Sequence, residues 1–373
     1  MTEKLHSKPF DEGTRLKLNI FRKCFREWLP VFIHNPKIDK IFVYDFFAGP
    51  GRDSEGTPGS PLILLEEARG ADLQYCKTGK IKDVIFGFND KNESETLKQN
   101  IAAYFNQCCQ RNCKKKECLY EKKCHCANLD FKSLFASENL KKILANKSFA
   151  KFILLDQYGF SQVDEEVFRK LAGSPMTDFI FFIASSFVDR FKDHEYTRKY
   201  LNTEKIDFSS VKPVQRHGLI ADYFASLVNK PEFYLHHFTI RKGSNHYGLI
   251  FGTNHTYGME KFLKVCWEED TFAGESNDNK WGDEQEGSLF FGIEPPKKIE
   301  AVKAELREML LQGKIDNNIN GLKTAMRKRC RPKVFVEVVR QLEKEKKIER
   351  IGETVNNRAE RIHEIPEYKI RPL

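Results

Sequence analysis

The chain has 373 residues, 40% hydrophobic and 31% charged with 31 Phe, a composition that excludes disorder and suits one large domain with an appendage, or two domains. No apolar run reaches the ~18 residues of a bilayer span, and the polar opening MTEKLHSKPFDEG lacks the form of a signal peptide, so a cytoplasmic location without membrane contact is expected. A net charge of +9 points to a polyanion only if it is concentrated somewhere.

Apolar spacing predicts a leading helix over 14–33, then a strand over 40–47 (KIFVYDFF) whose continuous apolar run suits burial on both faces. Ser60 and Pro61 read as N-cap and first turn of a helix reaching about Glu67. A strand over 83–90 (DVIFGFND) and a helix over 93–107 follow, then a Cys-rich basic insert at 108–126. Beyond it come a short strand over 126–131, a helix from Phe131 to Leu144, a strand over 151–159, a helix over 164–172 and a strand over 177–185. Residues 186–230 read as helical with less regular spacing. Strands over 233–241 and 245–254 are separated only by Lys242, Gly243 and Ser244, and a helix over 256–268 follows.

That three-residue connection forces an antiparallel hairpin, because parallel neighbours need a crossover of about a dozen residues. The fold class expected is therefore α/β: a Rossmann-like, mostly parallel sheet ending in an antiparallel hairpin, the layout of class I S-adenosylmethionine-dependent methyltransferases. This domain is assigned to 1–292. After Pro295 and Pro296, helical patterns at 298–311, 320–329 and 332–346 precede two strand-like runs, KIERIGETV and HEIPEYKI. Three helices and a hairpin over 293–373 suggest a winged-helix-like α+β domain, with a helical dimerisation bundle as the alternative.

Asp45, Phe47, Gly49 and Gly51 belong to DFFAGPG, directly after the first strand. Glycines there admit close backbone approach of a ligand, and the run resembles the cofactor loop of nucleic-acid methyltransferases, where the acid and glycines surround the amino acid part of S-adenosylmethionine. Asp90, at the end of the second strand, suits both ribose hydroxyls because a carboxylate is a bidentate acceptor; Glu93 and Glu95 are rivals. Asp130 is either an adenine contact or an N-cap. Asp156 and Tyr158, in DQYG after the fourth strand, occupy the position of the catalytic motif of amino-methylating enzymes: the acid would hold an exocyclic amine and the aromatic would stack on a flipped base. Gln157 and Gly159 depart from that motif. Asn254 and His255 are expected near the active face.

The run Lys17 to Trp28, YDFFAGPG, GTPGSPLILLEEA (56–68), LLDQYGF and GLIFGTNH together resemble the three-Cys-motif partner protein family over roughly residues 14–345. The resemblance implies a methyltransferase-like domain with a C-terminal extension, and a radical-S-adenosylmethionine-type partner protein bearing a three-Cys motif. The family's motif more often reads Asp-Pro-aromatic-Gly at 156–159.

Six of the ten cysteines lie within 108–126. Cys109, Cys113, Cys118, Cys124 and Cys126 are candidate ligands of a structural zinc, although the spacing matches no standard finger, and an Fe–S cluster or free thiols remain open. Twenty Lys and Arg against twelve Asp and Glu from Lys297 onward place nearly all the excess charge in the C-terminal domain. Arg327, Lys328, Arg329, Arg331 and Lys333, at the entry to its third helix, are expected to contact phosphate. Two readings follow: a methyltransferase acting on nucleic acid, DNA or RNA, or a non-catalytic nucleic-acid-binding adaptor of the three-Cys-motif protein, in mobile-element defence or repair.

Overall fold

The computed structural model describes residues 8–70, 83–112, 118, 120–243, 245–278, 298–352 and 359–373. In chain order its elements are α1 (Glu12–Ile33), β1 (Lys40–Asp45), α2 (Ser60–Arg69), β2 (Asp83–Asn89), α3 (Ser94–Asn112), β3 (Cys124–Ala127), α4 (Phe131–Phe135), α5 (Glu138–Ala145), β4 (Phe149–Leu155), α6 (Glu165–Gly173), β5 (Thr177–Ile183), α7 (Ser185–Arg190), α8 (Glu195–Tyr200), α9 (Arg216–Ser226), β6 (Tyr234–Lys242), β7 (Asn245–Thr253) and α10 (Thr256–Glu269). The C-terminal part adds α11 (Lys298–Leu311), α12 (Asn318–Arg327), α13 (Lys333–Lys344), β8 (Ile348–Ile351) and β9 (Lys369–Pro372). Among the described residues no helix is long and apolar enough to cross a membrane.

Seven strands form one sheet in the order β3-β2-β1-β4-β5-β7-β6. β1 to β5 are mutually parallel, β7 runs antiparallel to β5, and β6 pairs antiparallel with β7. This is the Rossmann-like, class I methyltransferase-like sheet with its terminal hairpin. Gly243, at φ +61°, supplies the left-handed residue of the tight turn.

Direction decides what can meet what. The parallel strands all end at one edge, at Asp45, Asn89, Ala127, Leu155 and Ile183. Ile183 pairs with Gly248 and Asp178 with Thr253, so the reversed β7 enters at that edge and leaves at the opposite one. Asn254 and His255 are thereby carried away from the edge at which the parallel strands end, against expectation. Asn254 donates to the Ser174 carbonyl and the His255 side chain caps α10.

Both faces of the sheet are covered, as parallel strands require. On one face α1 buries Phe21, Phe25, Trp28 and Leu29, and the Trp28 indole donates to Asp178 Oδ2 at 2.5 Å. Burial raises the Asp178 carboxyl to about 6, against the pull of Thr253 and Trp28. On the other face Phe131, Phe135, Phe168, Phe179, Phe181 and Phe224 make a second apolar cluster.

Three local readings need correction. Gly59, not Ser60, is the N-cap of α2; Ser60 and Pro61 are its first helical residues. The helix expected from Phe131 to Leu144 is two helices, because the Ser137 side chain accepts from the Leu140 N–H and starts α5 afresh. Residues 186–230 are helical only in part: three short α-helices, with three 3₁₀ turns between the second and the third.

In the C-terminal part, Leu306, Leu310, Leu322, Phe335, Val339, Leu342 and Ile370 belong to the same apolar cluster as α1 and α10. The second strand-like run becomes strand only at Lys369, where β9 pairs antiparallel with β8. The expected domain boundary at 292/293 lies outside the described residues.

Candidate functional site

The C-terminal edge of the parallel strands gathers the groups singled out in the sequence. After β1 the chain turns through Gly49 (φ +59°) and Gly51 (φ +83°), torsions that side-chain-bearing residues rarely adopt. A Cβ on Gly51 would also stand 3.2 Å from Leu97. The Gly59 N–H donates to the Gly51 carbonyl at 2.8 Å, tying α2 to the loop. Phe47 is half-buried with its ring 5.0 Å from that of Phe131.

Asp45 lies under this loop with 0% exposure. Its Oδ1 accepts from the Phe47 N–H at 3.1 Å, while Oδ2 is buried with no hydrogen-bond partner. Desolvation raises its pKa to about 7; the Ser60 side chain, the Phe47 N–H and Lys17 pull it down, and Asp156 pushes it up. A buried carboxylate oxygen without a donor is rare in a finished protein interior, and it fits a ligand cation.

Asp90 is joined to the same loop. Its Oδ2 accepts from the Gly49 N–H at 2.9 Å, and Oδ1 accepts from the Asn92 and Glu93 N–H groups. Of its rivals, Glu95 pairs with Lys98 and Glu93 meets Thr96. Asp130 is the exposed N-cap of α4, accepting from the Ser133 N–H at 3.2 Å, with Lys91 3.6 Å away.

Asp156 follows β4, and its Oδ2 accepts from Lys17 Nζ at 2.5 Å. The Lys17 ammonium also lies 5.0 Å from the centre of the Phe182 ring. Gln157 is buried: its amide donates to the Phe182 carbonyl, and its oxygen accepts from the Gln162 and Val163 N–H groups. The unexpected glutamine thus builds the loop, with Gly159 (φ +88°) at its turn, and leaves Tyr158 83% exposed.

Three further residues shape this edge. Lys17 comes from α1, 139 positions before its partner, and no local pattern marks it as a site residue. Asn89 donates to the Phe46 and Leu129 carbonyls and accepts from the Leu129 N–H, so one buried amide holds together the loops that follow β1, β2 and β3. Asp53 likewise accepts from the N–H groups of Phe10, Glu55 and Thr57, fixing the segment beyond the glycines.

The basic cluster lies away from this edge, and much of it faces inward. Arg331 donates twice to Glu260 Oε1, at 3.0 and 2.6 Å, and Arg329 reaches Asp222 and the Gly218 carbonyl. Arg327 donates to the Pro231 carbonyl, and Lys328 pairs with Glu305. Lys333 opens α13 and is exposed.

Of the candidate zinc ligands, Cys113 and the Cys109 side chain lie outside what is described. Cys124 and Cys126, two apart on β3, share a face and a thiol–thiol hydrogen bond that pushes Cys124 up and Cys126 down. Cys118 is close enough to raise Cys124 further. Among the described residues, the group whose ligand atoms come within 4.8 Å of one another is instead His236, His237 and Glu275. Lys298 and Arg329 already sit on Glu275, at 2.5 and 3.5 Å, which opposes a metal cation there.

No family model matches the chain, and no curated protein does. Among solved structures it is similar to an O-methyltransferase from Bacillus cereus in complex with SAH (12% identity, 66% of this chain and 82% of that one, TM-score 0.32). It is similar also to the O-methyltransferase TomG from Streptomyces achromogenes in complex with SAM (9%, 68% and 98%, 0.33) and to the METTL16 MTase domain (10%, 63% and 82%, 0.29). The fold class rests on the strand order and directions described above.

Proposed function

We propose that the chain is an S-adenosylmethionine-dependent methyltransferase acting on nucleic acid. The observation that carries this reading is the buried, donorless Oδ2 of Asp45 beneath a glycine loop at the C-terminal edge of this sheet. Asp45 would accept from the cofactor's ammonium group, the loop from Phe47 to Gly51 would line its amino acid part, and Asp90 would take the ribose hydroxyls. Asp130 would stand at the adenine end. When bound, the cofactor supplies a sulfonium-activated methyl group, which leaves the protein mainly the task of alignment.

For the acceptor, Lys17 occupies Asp156 Oδ2, and Oδ1 is left to hold an amine. Tyr158, held out by the Gln157-built loop, would stack on the target base. Lys17→Met is expected to lower methyl transfer at least tenfold while S-adenosylhomocysteine still binds. The assay follows labelled methyl from S-adenosylmethionine into DNA and RNA; unchanged transfer in this variant would remove Lys17 from the site.

The C-terminal part would hold the polyanion. Its order of helix, single β-bridge (Asn317 to Lys369), two helices and ribbon supports a winged-helix reading with α13 as the recognition helix. Lys333, Arg340 and Lys344 are exposed on α13 and are its phosphate-contact candidates. Arg327, Lys328, Arg329 and Arg331 would act by seating the helix. A bound zinc on the cysteine segment completes the proposal, with Cys118, Cys124 and Cys126 among its ligands; elemental analysis of the purified chain should find zinc, and Cys124→Ser with Cys126→Ser should lose it.

The second reading, a non-catalytic adaptor of a three-Cys-motif radical-S-adenosylmethionine-type protein, draws on the sequence resemblance and on Gln157. A stable complex with that partner and no methyl transfer to any nucleic acid would favour it.

A further inference from the structure

Among the described residues, three of the exposed large apolar side chains are aromatic, and all three lie along the connections that leave β4 and β5 at this edge: Tyr158, Phe191 (38% exposed) and Tyr196 (48%). Tyr196 is tied to the Tyr158 loop by the Phe160 ring, 6.1 Å away, and by Tyr200, 5.2 Å away. α7 starts two residues beyond the end of β5, the strand beside β4, so its far end at Arg190 and the turn through Phe191 extend from the Asp156 side of the sheet.

The charges between these rings are not balanced. Asp189 is taken by Arg216 and Lys192, and Asp193 and Glu204 are taken by Arg198. Among the described residues Arg190, Lys199 and Lys205 make no ion pair, against Glu195 alone on the acidic side of residues 185–205, and the Lys199 ammonium lies 5.7 Å from the Tyr200 ring centre. Exposed rings interleaved with unpaired cations match a polymer that alternates flat bases with phosphates. A duplex keeps its bases stacked inside and offers such rings nothing to stack on.

Resting on the reading of the chain as a nucleic-acid methyltransferase, we propose that Phe191 and Tyr196 form a stacking platform for the unpaired bases flanking the target, with Arg190 and Lys199 on the adjoining phosphates. The substrate is then single-stranded nucleic acid, or a loop or end within a folded one, and Tyr158 takes the target base itself.

The test uses the full chain and fluorescence anisotropy with a labelled single strand and the blunt duplex of the same sequence, at several salt concentrations. The single strand is expected to bind tighter. Phe191→Ala should weaken it about tenfold, in the range that stacking of one base contributes, and leave duplex binding unchanged. Because Tyr196 also packs on Phe160, Tyr196→Trp is paired with Tyr196→Ala: tryptophan should retain binding where alanine loses it. Arg190→Gln with Lys199→Gln should flatten the salt slope. Tighter duplex binding, or single-strand affinity untouched by Phe191→Ala and Tyr196→Ala together, would overturn the platform and leave the methyltransferase reading standing. Binding of S-adenosylhomocysteine without affinity for any nucleic acid would overturn the nucleic-acid target and the platform with it.

Discussion

Asp45→Asn is expected to weaken S-adenosylmethionine binding at least tenfold and, at the same time, to raise the melting temperature of the cofactor-free protein. The first effect follows from losing a charge-assisted hydrogen bond between the buried carboxylate and the cofactor's ammonium, an interaction of roughly 1.5–3 kcal/mol. The second follows from the raised pKa of the buried carboxyl, from 3.8 to about 7. A group whose pKa rises on folding contributes stability that is full below its unfolded value and is lost as pH climbs through its folded value. The free protein therefore bears the largest penalty above pH 7. Asparagine cannot ionise, so the variant should melt higher by on the order of 3 °C at pH 8, a gain that shrinks toward pH 4. Wild-type affinity for the cofactor should also fall below pH 7 as Asp45 takes up its proton. Lower stability of the variant at pH 8, with unaltered binding, would make Asp45 an ordinary core acid.

Arg331→Ala is expected to cost about 1.5–3 kcal/mol of stability, the usual loss of hydrogen bonding to a charged group, since Glu260 is buried while Arg331 is partly exposed. Glu260 is 1% exposed in α10, and two N–H groups of Arg331 converge on its Oε1. The loss would be felt where α13 begins, so it should also loosen the seating of the C-terminal helices on α10. Denaturant unfolding measures the first effect. The slope of nucleic-acid affinity against salt separates the two roles this arginine could have: a seating residue leaves the slope unchanged, whereas a phosphate contact lowers it by about one. Changing Lys333, Arg340 and Lys344 to Gln should do the reverse, lowering the slope at unchanged stability. An Arg331→Ala protein of normal stability with a reduced slope would return the residue to the nucleic-acid interface.

The parts of this molecule that could be read from its sequence are those set by short-range rules. Three residues between two apolar runs dictate a hairpin, and the position of DFFAGPG after the first strand places the glycine loop at the sheet edge where Asp90 and Asp156 also arrive. Contacts made across the fold left no local mark. Lys17 reaches Asp156 only because α1 packs over the sheet, and Asn89 looks like any strand-end amide until the loops on either side close around it. Strand direction misleads as well: the three-residue connection makes β7 antiparallel, yet the consequence that Asn254 and His255 leave at the far edge emerges only from the register. A run of cations such as Arg327 to Arg331 has the same composition whether it faces phosphate or Glu260 and Asp222, and tertiary packing alone distinguishes the two.

The edge holding Asp45, the glycine loop and Asp90 is expected to bind S-adenosylmethionine. Isothermal titration of the wild-type chain with S-adenosylhomocysteine at pH 8 tests it most directly. One molecule bound per chain, with the heat diminished in Asp45→Asn, is the predicted result; no binding at millimolar ligand, or binding indifferent to Asp45, would contradict it.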